Sequence, residues 1–313
     1  MDKITVAVPC YNEEPVLDLF YSAITAVAKE FPDTEFEFLF IDDGSRDNTL
    51  GKVQSFVQKD SRVKYISFSR NFGKEAGIYA GLENATGDYV VIMDADLRDP
   101  PSLLPEMYRA ITEEGYDSVG SRRVTRKGEP PLRSFFARLF YKIINKISDA
   151  DIVDGARDYQ MMNRKVVDAI LSMGEYNRFS KGIFGWIGYR KKWLEYENIE
   201  RAAGETKWSF WSLMLYAIQG IIAFSTAPLV LSSVLGLLCC VLALVMIVVI
   251  IIRTLAFGDP TAGWPSLVCI ILLLSGIQML GIGILGQYLA KTYLETKRRP
   301  IYLVAQTNIE TRK

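Results

Sequence analysis

Histidine is absent from this chain of 313 residues. Imidazole is therefore excluded as a base, nucleophile or metal ligand, and with it every catalytic triad that depends on histidine. The four cysteines include no Cys-x-x-Cys pair, and three of them (Cys239, Cys240 and Cys269) lie in apolar runs. Neither a zinc ribbon nor a disulfide framework is predicted. The 36 basic and 36 acidic residues leave no net charge, so nothing indicates a nucleic-acid partner.

Two glycine motifs that bind nucleotides are also missing. The turn after the first predicted strand reads Pro-Cys-Tyr-Asn-Glu-Glu, without the Gly-x-Gly-x-x-Gly of dinucleotide-binding dehydrogenases, and no P-loop occurs. A bound diphosphate is therefore expected to be neutralised by a metal ion and arginine rather than by a glycine cradle. The chain begins Met-Asp-Lys and continues directly into a strand, so we expect no signal peptide and a first domain that stays in the cytoplasm.

Apolar strand-like segments alternate with helical ones over the first part of the chain. Strands are predicted at residues 4–8, 36–41, 63–68 and 89–93, with helices at 14–29, 48–58 and 74–85 between them. This alternation predicts an α/β fold with a mostly parallel sheet covered on both faces. Ligands of such sheets bind beyond the carboxyl ends of the strands. Because each strand here ends in polar sequence, a nucleotide site is predicted at that edge.

The most informative segment is 91–96, Val-Ile-Met-Asp-Ala-Asp. Side chains two residues apart on a strand point the same way, so Asp94 and Asp96 can present oxygens to one cation. Mg²⁺ and Mn²⁺ favour such oxygen ligands and take the rest of their shell from water and phosphate. A metal site for a phosphorylated substrate is one interpretation. An Asp-rich turn after a strand is the other.

Four motifs in a fixed order then suggest a family. They are 9–14 (Pro-Cys-Tyr-Asn-Glu-Glu), 42–47 (Asp-Asp-Gly-Ser-Arg-Asp), 70–74 (Arg-Asn-Phe-Gly-Lys) and 94–101 (Asp-Ala-Asp-Leu-Arg-Asp-Pro-Pro). Together they resemble the family-2 inverting glycosyltransferases with the GT-A fold. More narrowly, they resemble the polyprenyl-phosphate glycosyltransferases, such as dolichol-phosphate mannose synthase and the bactoprenol glucosyltransferases. The resemblance covers nearly the whole chain.

This resemblance implies a reaction and its partners. A sugar passes, with inversion and with Mg²⁺ or Mn²⁺, from a nucleotide diphosphate sugar to a polyprenyl phosphate for cell-envelope glycan modification. A UDP-hexose is favoured as donor and undecaprenyl phosphate as acceptor. The resemblance also implies a homo-oligomer, with a tetramer as one form.

The resemblance further assigns donor residues. Asp96 ligates the metal, Asp94 lies near the ribose and diphosphate, and Lys74 helps to fix the nucleotide or sugar. Arg98 stands where the family usually has glutamine, and it is expected to add a cation beside the phosphates. The remaining donor-binding residues cradle the base and ribose or lie near the ribose and diphosphate: Pro9, Tyr11, Glu13, Asp42 and Asp43.

The acceptor side is predicted further along the chain. A strand from Asp117 ends in Arg122 and Arg123, which suit bidentate phosphate binding, although a surface basic pair would read the same. Asp158 resembles the family's residue near the reacting phosphate, and it also suits the N-cap of a helix predicted at 161–173. The family resemblance thus makes Arg122 and Asp158 catalytic candidates with Asp96.

Two further segments belong to the predicted cleft. Arg201 and Lys207 resemble a loop that closes over the donor, although a linker into the membrane would read the same. Residues 179–189, with glycines among aromatics, are expected to line the same cleft.

Charged residues become rare after Lys207 and return at Lys291, which marks a membrane domain. Apolar runs at 229–252 and 266–286 are long enough to span a bilayer, and the basic residues after them place both termini in the cytoplasm. Residues 129–147 form an amphipathic pattern that fits an interfacial helix or a core helix, and membrane-surface location is favoured. The predicted organisation is a catalytic domain (1–207), a juxtamembrane helix (208–227), two spans (228–290) and a cytoplasmic basic tail (291–313) in the plasma membrane.

Two alternatives stay open. A processive polysaccharide synthase has a similar domain, but its usual Gln-x-x-Arg-Trp motif is absent here. A nonenzymatic membrane protein that binds a nucleotide sugar or lipid carrier belongs to another class, and the acidic and basic residues assigned above argue against it.

Overall fold

A computed structural model of the chain describes residues 1–124, 153, 155–197, 221–222, 225–257 and 263–309. Within those ranges eight strands form one sheet. In chain order they are β1 (Asp2–Cys10), β2 (Thr34–Asp42), β3 (Val63–Phe68), β4 (Tyr89–Ile92), β5 (Ser118–Arg123), β6 (Ala156–Asn163), β7 (Lys191–Tyr196) and β8 (Val304–Thr307). The four strands predicted in the first part of the chain are present, with ends shifted by a few residues.

The sheet is mostly parallel, as predicted. Its order is β7-β5-β6-β4-β1-β2-β3-β8. Strands β4, β1, β2 and β3 are parallel, while β6 runs antiparallel to both β4 and β5, and β5 is parallel to β7. The carboxyl ends of β1–β5 and β7 therefore share one edge with the amino end of β6. This edge collects the polar segments that follow the strands.

Helices cover the sheet on both faces. They are α1 (Leu17–Ala28), α2 (Thr49–Val57), α3 (Lys74–Asn84), α4 (Leu104–Thr112), α5 (Arg164–Ser172), α6 (Ser180–Trp186), α7 (Ala227–Phe257) and α8 (Trp264–Thr296). A short 3₁₀ turn, Pro101–Leu103, precedes α4.

Both faces of the central strands are buried, which explains their continuous apolar sequence. On β2, Phe38 and Phe40 pack in the core beneath α1 and α2, whereas Leu39 and Ile41 pack on the other face with α3. Helix α3 approaches the sheet closely because Gly81 has no side chain: a Cβ there would lie 2.8 Å from the Cβ of Ala7. The close contact holds α3 against the sheet. Lys74, the first residue of α3, therefore lies at the edge where the carboxyl ends of the parallel strands meet, which we call the functional edge.

One sequence prediction is wrong. The helix expected at 161–173 begins only at Arg164, because the preceding residues pair as β6 with β4 and β5. Asn163 caps that helix, since its side chain accepts a hydrogen bond from the backbone N–H of Val166 at 3.0 Å. Asp158 lies within β6 and is no helix cap. The interfacial helix predicted at 129–147 falls outside the described residues.

The C-terminal segment returns to the sheet, which the sequence analysis did not predict. After α8, strand β8 pairs antiparallel with β3, and Asn308 accepts a hydrogen bond from the backbone N–H of Tyr65 at 2.8 Å. Tyr302 stacks on Phe68 with ring centroids 4.8 Å apart, and its hydroxyl group donates to Glu83. The residues after the last long helix are thus an integral part of the α/β domain.

Replacing Tyr302 by alanine should destabilise the α/β domain by about 2 kcal/mol, because the stack on Phe68 and the hydrogen bonds between the hydroxyl group and α3 are lost together. Tyr302→Phe keeps the stack and should cost about 1 kcal/mol. Thermal unfolding of the detergent-solubilised protein measures both. Equal melting temperatures for wild type and Tyr302→Ala would show that the tail contributes nothing to the domain.

Helices α7 and α8 are both long and apolar enough to cross a membrane, judged by length and composition. The most apolar windows are Ala227–Met246 and Leu273–Thr296, and neither is buried inside the structure. They include most of the two runs predicted from the sequence. At the end of α8, Glu295 accepts hydrogen bonds from the backbone N–H groups of Tyr176 and Asn177 at 2.9 and 3.0 Å, which attaches this helix to the α/β domain.

Candidate functional site

The loops after β1 and β2 interlock at the functional edge. The backbone N–H of Asn12 donates to Ser45 Oγ at 3.0 Å, and the backbone N–H of Arg46 donates back to Asn12 Oδ1 at 2.8 Å. Asn12 adopts a left-handed conformation (φ 52°), which asparagine tolerates better than most residues. The interlock brings the segment containing Tyr11 and Glu13 beside Asp42 and Asp43, as expected for one nucleotide site.

Asp42 and Asp43 are both buried and both hold backbone in place. Asp42 accepts hydrogen bonds from Ser67 Oγ at 2.8 Å and from the backbone N–H of Ser45 at 3.1 Å. Asp43 accepts from the backbone N–H groups of Phe72 and Gly73 at 2.6 and 2.9 Å. Asp43 therefore positions the loop that leads into α3. Burial raises its pKa to about 6, although these two backbone donors oppose the shift.

Asp43 should make the stability of the domain depend on pH. Its folded pKa of about 6 lies above the ordinary value, so the folded state binds the proton more tightly than the unfolded state. Stability from this group is full below about pH 4 and falls as the pH rises through about 6, by roughly 3 kcal/mol in total. Asp43→Asn should remove that decline, as seen in melting temperatures measured from pH 4 to 7.

A matched control for this titration is Asp33→Asn, which changes an exposed carboxylate. It should keep the pH dependence of the wild type. If Asp43→Asn also keeps the wild-type slope between pH 4 and 6, the raised pKa of Asp43 is refuted.

Lys74 links the loop after β4 to strand β6. Its Nζ donates to a carboxylate oxygen of Asp94 at 2.8 Å and to Asp158 Oδ2 at 2.5 Å. The β4–β6 register pairs Ile92 with Gln160, and continuing it brings Asp94 opposite Asp158. Lys74 thus lies between the carboxylate predicted for the donor and the one predicted for the acceptor.

The charges of this cluster support one another. The Lys74 side chain is 44% exposed, and partial loss of water around its ammonium group opposes its charge, but Asp158 and Asp94 raise its pKa well above the usual value. Burial would raise the pKa of Asp158, yet Lys74 and then Lys181 hold it far below its ordinary range. Burial raises the pKa of Asp94, against the attraction of Lys74. Asp158 is therefore a firmly ionised carboxylate at neutral pH.

Arg98 forms an ion pair with Asp96, the second of the two predicted metal ligands. Its Nε donates to Asp96 Oδ2 at 2.7 Å, and its backbone N–H donates to Asp96 Oδ1 at 3.2 Å. The intervening Leu97 adopts φ 56°, which folds the segment back on itself. Burial would raise the pKa of Asp96, but Arg98 more than offsets it and the pKa is lowered. Arg98, at the position where the resemblance predicts glutamine, thus contacts the carboxylate predicted to ligate the metal.

The sequence analysis did not predict the ion pair between Asp99 and Arg157. Asp99 is 1% exposed and accepts from Arg157 Nε at 3.0 Å and from the hydroxyl group of Tyr196. Burial opposes the charge of Arg157, but Asp99 raises its pKa. Asp99 belongs to the motif 94–101, so the motif could have marked it as a candidate site residue. Its partners come from β6 and β7, far away in sequence.

Arg122 and Arg123 end β5 at the same edge, and both are half-buried. Arg122 Nη1 lies 3.5 Å from Glu195 Oε1 on the neighbouring β7. The backbone N–H of Arg123 donates to the carbonyl of Gly155 at 3.0 Å, and this glycine has φ 81°. A Cβ at Gly155 would lie 2.4 Å from the Arg123 carbonyl oxygen, so the turn into β6 requires glycine.

The oxygen donors at this edge suit a hard divalent cation. Asp94 and Asp96 supply carboxylates, and among the described residues no group of three or more protein donors converges. A diphosphate would therefore complete the shell, as is common for Mg²⁺. In the structure Lys74 and Arg98 cover these carboxylates, but their side chains are 44% and 31% exposed and can turn outward. The residues fit a metal held jointly by protein and substrate.

The structure brings most predicted site residues to one edge. Those contributed by the loops, strand ends and α3 are Pro9, Tyr11, Glu13, Asp42, Asp43, Lys74, Asp94, Asp96, Arg98, Arg122, Arg123 and Asp158. Arg201 and Lys207 fall outside the described residues. Near Asp158 lies a cavity of about 350 Å³, and part of its lining comes from the predicted cleft segment 179–189.

Carboxylates paired with lysine and arginine at the edge formed by the carboxyl ends of parallel strands form a candidate ligand site of an α/β enzyme. Comparison with known proteins narrows this class. The profile of Glycosyl transferase family 2 matches residues 5–171. This chain belongs to glycosyltransferase family 2 and is a glycosyltransferase with the GT-A-type α/β fold, as the sequence motifs predicted.

Its relatives match over nearly their whole length. The putative glycosyltransferase CsbB of Bacillus subtilis is 42% identical over 98% of this chain and 92% of its own. The prophage bactoprenol glucosyl transferase homolog of Escherichia coli is 40% identical over 96% of this chain and 98% of its own. Among solved structures, mannosyl-3-phosphoglycerate synthase from Rubrobacter xylanophilus is 18% identical with a TM-score of 0.49, covering 71% of this chain and 73% of that one.

Proposed function

We propose that this enzyme transfers one sugar from a nucleotide diphosphate sugar, with a UDP-hexose favoured, to undecaprenyl phosphate. The proposal depends on Lys74, which pairs with both Asp94 and Asp158. Its ammonium group thus joins the carboxylate assigned to the sugar-donor site to the carboxylate assigned to the acceptor site. A relative named as a bactoprenol glucosyl transferase homolog, at 40% identity, supports a polyprenyl acceptor.

The donor is proposed to bind where the loops after β1 and β2 interlock. Pro9, Tyr11, Glu13 and Asp42 are assigned to the base and ribose, and Asp43 orders the loop into α3. Asp94 and Asp96 would hold Mg²⁺ or Mn²⁺. When bound, such a cation stabilises the charge of the leaving diphosphate as a Lewis acid. Once turned from Asp96, Arg98 supplies a guanidinium group to the same phosphates.

The acceptor needs little activation. A phosphate monoester has a second pKa of about 6 and is largely a dianion at neutral pH, so its oxygen is already a nucleophile. The low pKa of Asp158 makes this carboxylate a weak base. Asp158 is therefore assigned to orient Lys74 and the acceptor rather than to take a proton. A single in-line displacement at the anomeric carbon inverts its configuration, and catalysis consists mainly of positioning two charged groups.

The long helices support a site at the cytoplasmic face of the plasma membrane. Strand β8 pairs with β3 of the catalytic domain, so the chain before α7 and the chain after α8 lie on the same side of the bilayer if both helices cross it. The basic residues after the second apolar run favour the cytoplasmic side. The same argument supports a juxtamembrane rather than a spanning role for the segment 208–227. A homo-oligomer, including a tetramer, is part of the proposal.

The test is a transfer assay with the purified full-length protein in detergent. Undecaprenyl phosphate is incubated with radiolabelled UDP-glucose and other nucleotide sugars, with Mg²⁺ or Mn²⁺ and with EDTA, and lipid products are separated by thin-layer chromatography. We expect one lipid-linked monosaccharide that is lost with EDTA. A growing polymer would replace the proposal by a polysaccharide synthase. No lipid product from any donor would refute the acceptor.

A further inference from the structure

A second binding feature lies beside the carboxylate cluster. The cavity of about 350 Å³ is bounded by α6 on one side and by β6 and β7 on the other. Its size falls in the range of small-molecule sites. The described residues that line it include Lys181, Phe184, Tyr189, Lys191 and Trp193, together with Arg157 of β6.

Among the residues that the structure describes, the lining is basic and contains no carboxylate. Arg157 and Lys191 are already engaged: Arg157 pairs with Asp99, and Lys191 Nζ donates to Gln160 Oε1 at 2.8 Å and lies 4.2 Å from the ring centroid of Trp193. Lys181 differs, because it makes no hydrogen bond or ion pair with any residue that the structure describes. A partly buried ammonium group that makes no direct contact with a carboxylate, in a lining that also contains Lys191, favours the binding of an anion.

The remaining lining is apolar and flat. Phe184 and Trp193 both lie near Lys191, whose Nζ is 5.5 Å from the Phe184 ring centroid. Gly185 and Gly188 also line the cavity. Hydrocarbon that enters such a cavity is favoured by about 25 cal/mol per Å² removed from water. The combination fits an anion that carries an apolar chain.

The position of Lys181 is fixed from the catalytic side. Glu75, which follows Lys74 on α3, accepts hydrogen bonds from the backbone N–H and hydroxyl group of Ser180 at the start of α6. Lys181 is also close enough to Asp158 to act on its charge. An anion on Lys181 therefore lies next to Asp158 and Lys74.

We propose that this cavity binds the phosphate end of the acceptor lipid, with Lys181 contacting the phosphate and Phe184 and Trp193 contacting the first apolar units. The proposal rests on the proposed function and adds the acceptor site to it. The described part of the lining contains no carboxylate, which distinguishes this site from the proposed metal-dependent donor site at Asp94 and Asp96.

The kinetic test compares Lys181→Met, Lys181→Arg and Lys192→Met in full-length protein. Lys192 lies on β7 and pairs with Glu114 at 2.8 Å, away from the cavity, so it is the matched control. Lys181→Met should raise KM for undecaprenyl phosphate by roughly tenfold or more, while KM for the nucleotide sugar stays within about twofold. Lys181→Arg should restore much of the loss, and Lys192→Met should match the wild type.

A binding test needs no turnover. Farnesyl phosphate, farnesol and inorganic phosphate are titrated calorimetrically into wild type and Lys181→Met. Farnesyl phosphate should bind wild type more tightly than either other probe and lose roughly tenfold in affinity in the variant. Equal affinity for farnesyl phosphate and inorganic phosphate would indicate a simple phosphate site and overturn the proposal.

The two hypotheses fail in different ways. Transfer by wild type with an unchanged lipid KM in Lys181→Met overturns the acceptor site and leaves the proposed function intact. Tight binding of farnesyl phosphate that depends on Lys181, without any sugar transfer, supports the site and refutes the reaction.

Discussion

Asp96→Asn should lower the rate of sugar transfer by roughly a hundredfold or more, because a neutral amide lacks the charged oxygen that we propose holds a divalent cation on the diphosphate. Asp96 is buried, and its carboxylate is bonded by Arg98 within the structure. Asparagine has nearly the same shape, so the fold should persist. The assay measures kcat and the concentration of Mn²⁺ needed for half-maximal rate.

Asp168→Asn provides the control, because the Asp168 side chain is 64% exposed on α5 and lies away from the edge. It should transfer sugar at the wild-type rate. Circular dichroism and the melting temperature establish that both variants are folded. A folded Asp96→Asn enzyme with wild-type kcat and metal requirement would remove Asp96 from the metal site.

Arg157→Met should destabilise the catalytic domain by about 3 kcal/mol, since it leaves the buried carboxylate of Asp99 without its charged partner. For a domain of this size that corresponds to a fall in melting temperature of roughly 6–12 °C. The double variant Arg157→Met/Asp99→Asn removes the uncompensated charge as well. It should therefore recover a large part of the lost stability, which thermal unfolding of the solubilised protein measures.

The control for this pair is Arg109→Met, at an exposed position near the end of α4. It should leave the melting temperature nearly unchanged. If the double variant is as unstable as Arg157→Met alone, lost packing rather than the buried charge of Asp99 explains the effect.

Local patterns were sufficient for the framework of the fold. The apolar segments of β1 to β4 and the polar residues that end them could be recognised in the sequence, because burial on both faces of a parallel strand demands an uninterrupted apolar run. Asp94 and Asp96 were found for the same reason, as acids at the point where such a run stops. The signal failed at β6, where local propensity favoured helix at 161–173 and pairing with β4 and β5 decided for a strand up to Asn163.

Contacts between distant segments could not be predicted in this way. The choice of Asp94 and Asp158 as joint partners of Lys74 depends on the antiparallel register of β4 and β6. The pairing of Asp99 with Arg157 depends on the same insertion of β6 into the sheet. Lys181 was passed over because nothing in its sequence neighbourhood shows that α6 turns it toward a cavity.

The amino-acid sequence by itself determined the alternation of strands and helices, the acids that end β4, the four ordered motifs of the family and the two long apolar segments. These are local properties, because they depend on which side chains are apolar and favour burial and which are polar and favour contact with water. Only the tertiary structure decided which charges neutralise one another, that Arg98 lies on Asp96, and that the chain beyond α8 supplies an edge strand. Ion pairs and strand partners are chosen by proximity in space, and that proximity exists only once the sheet is assembled.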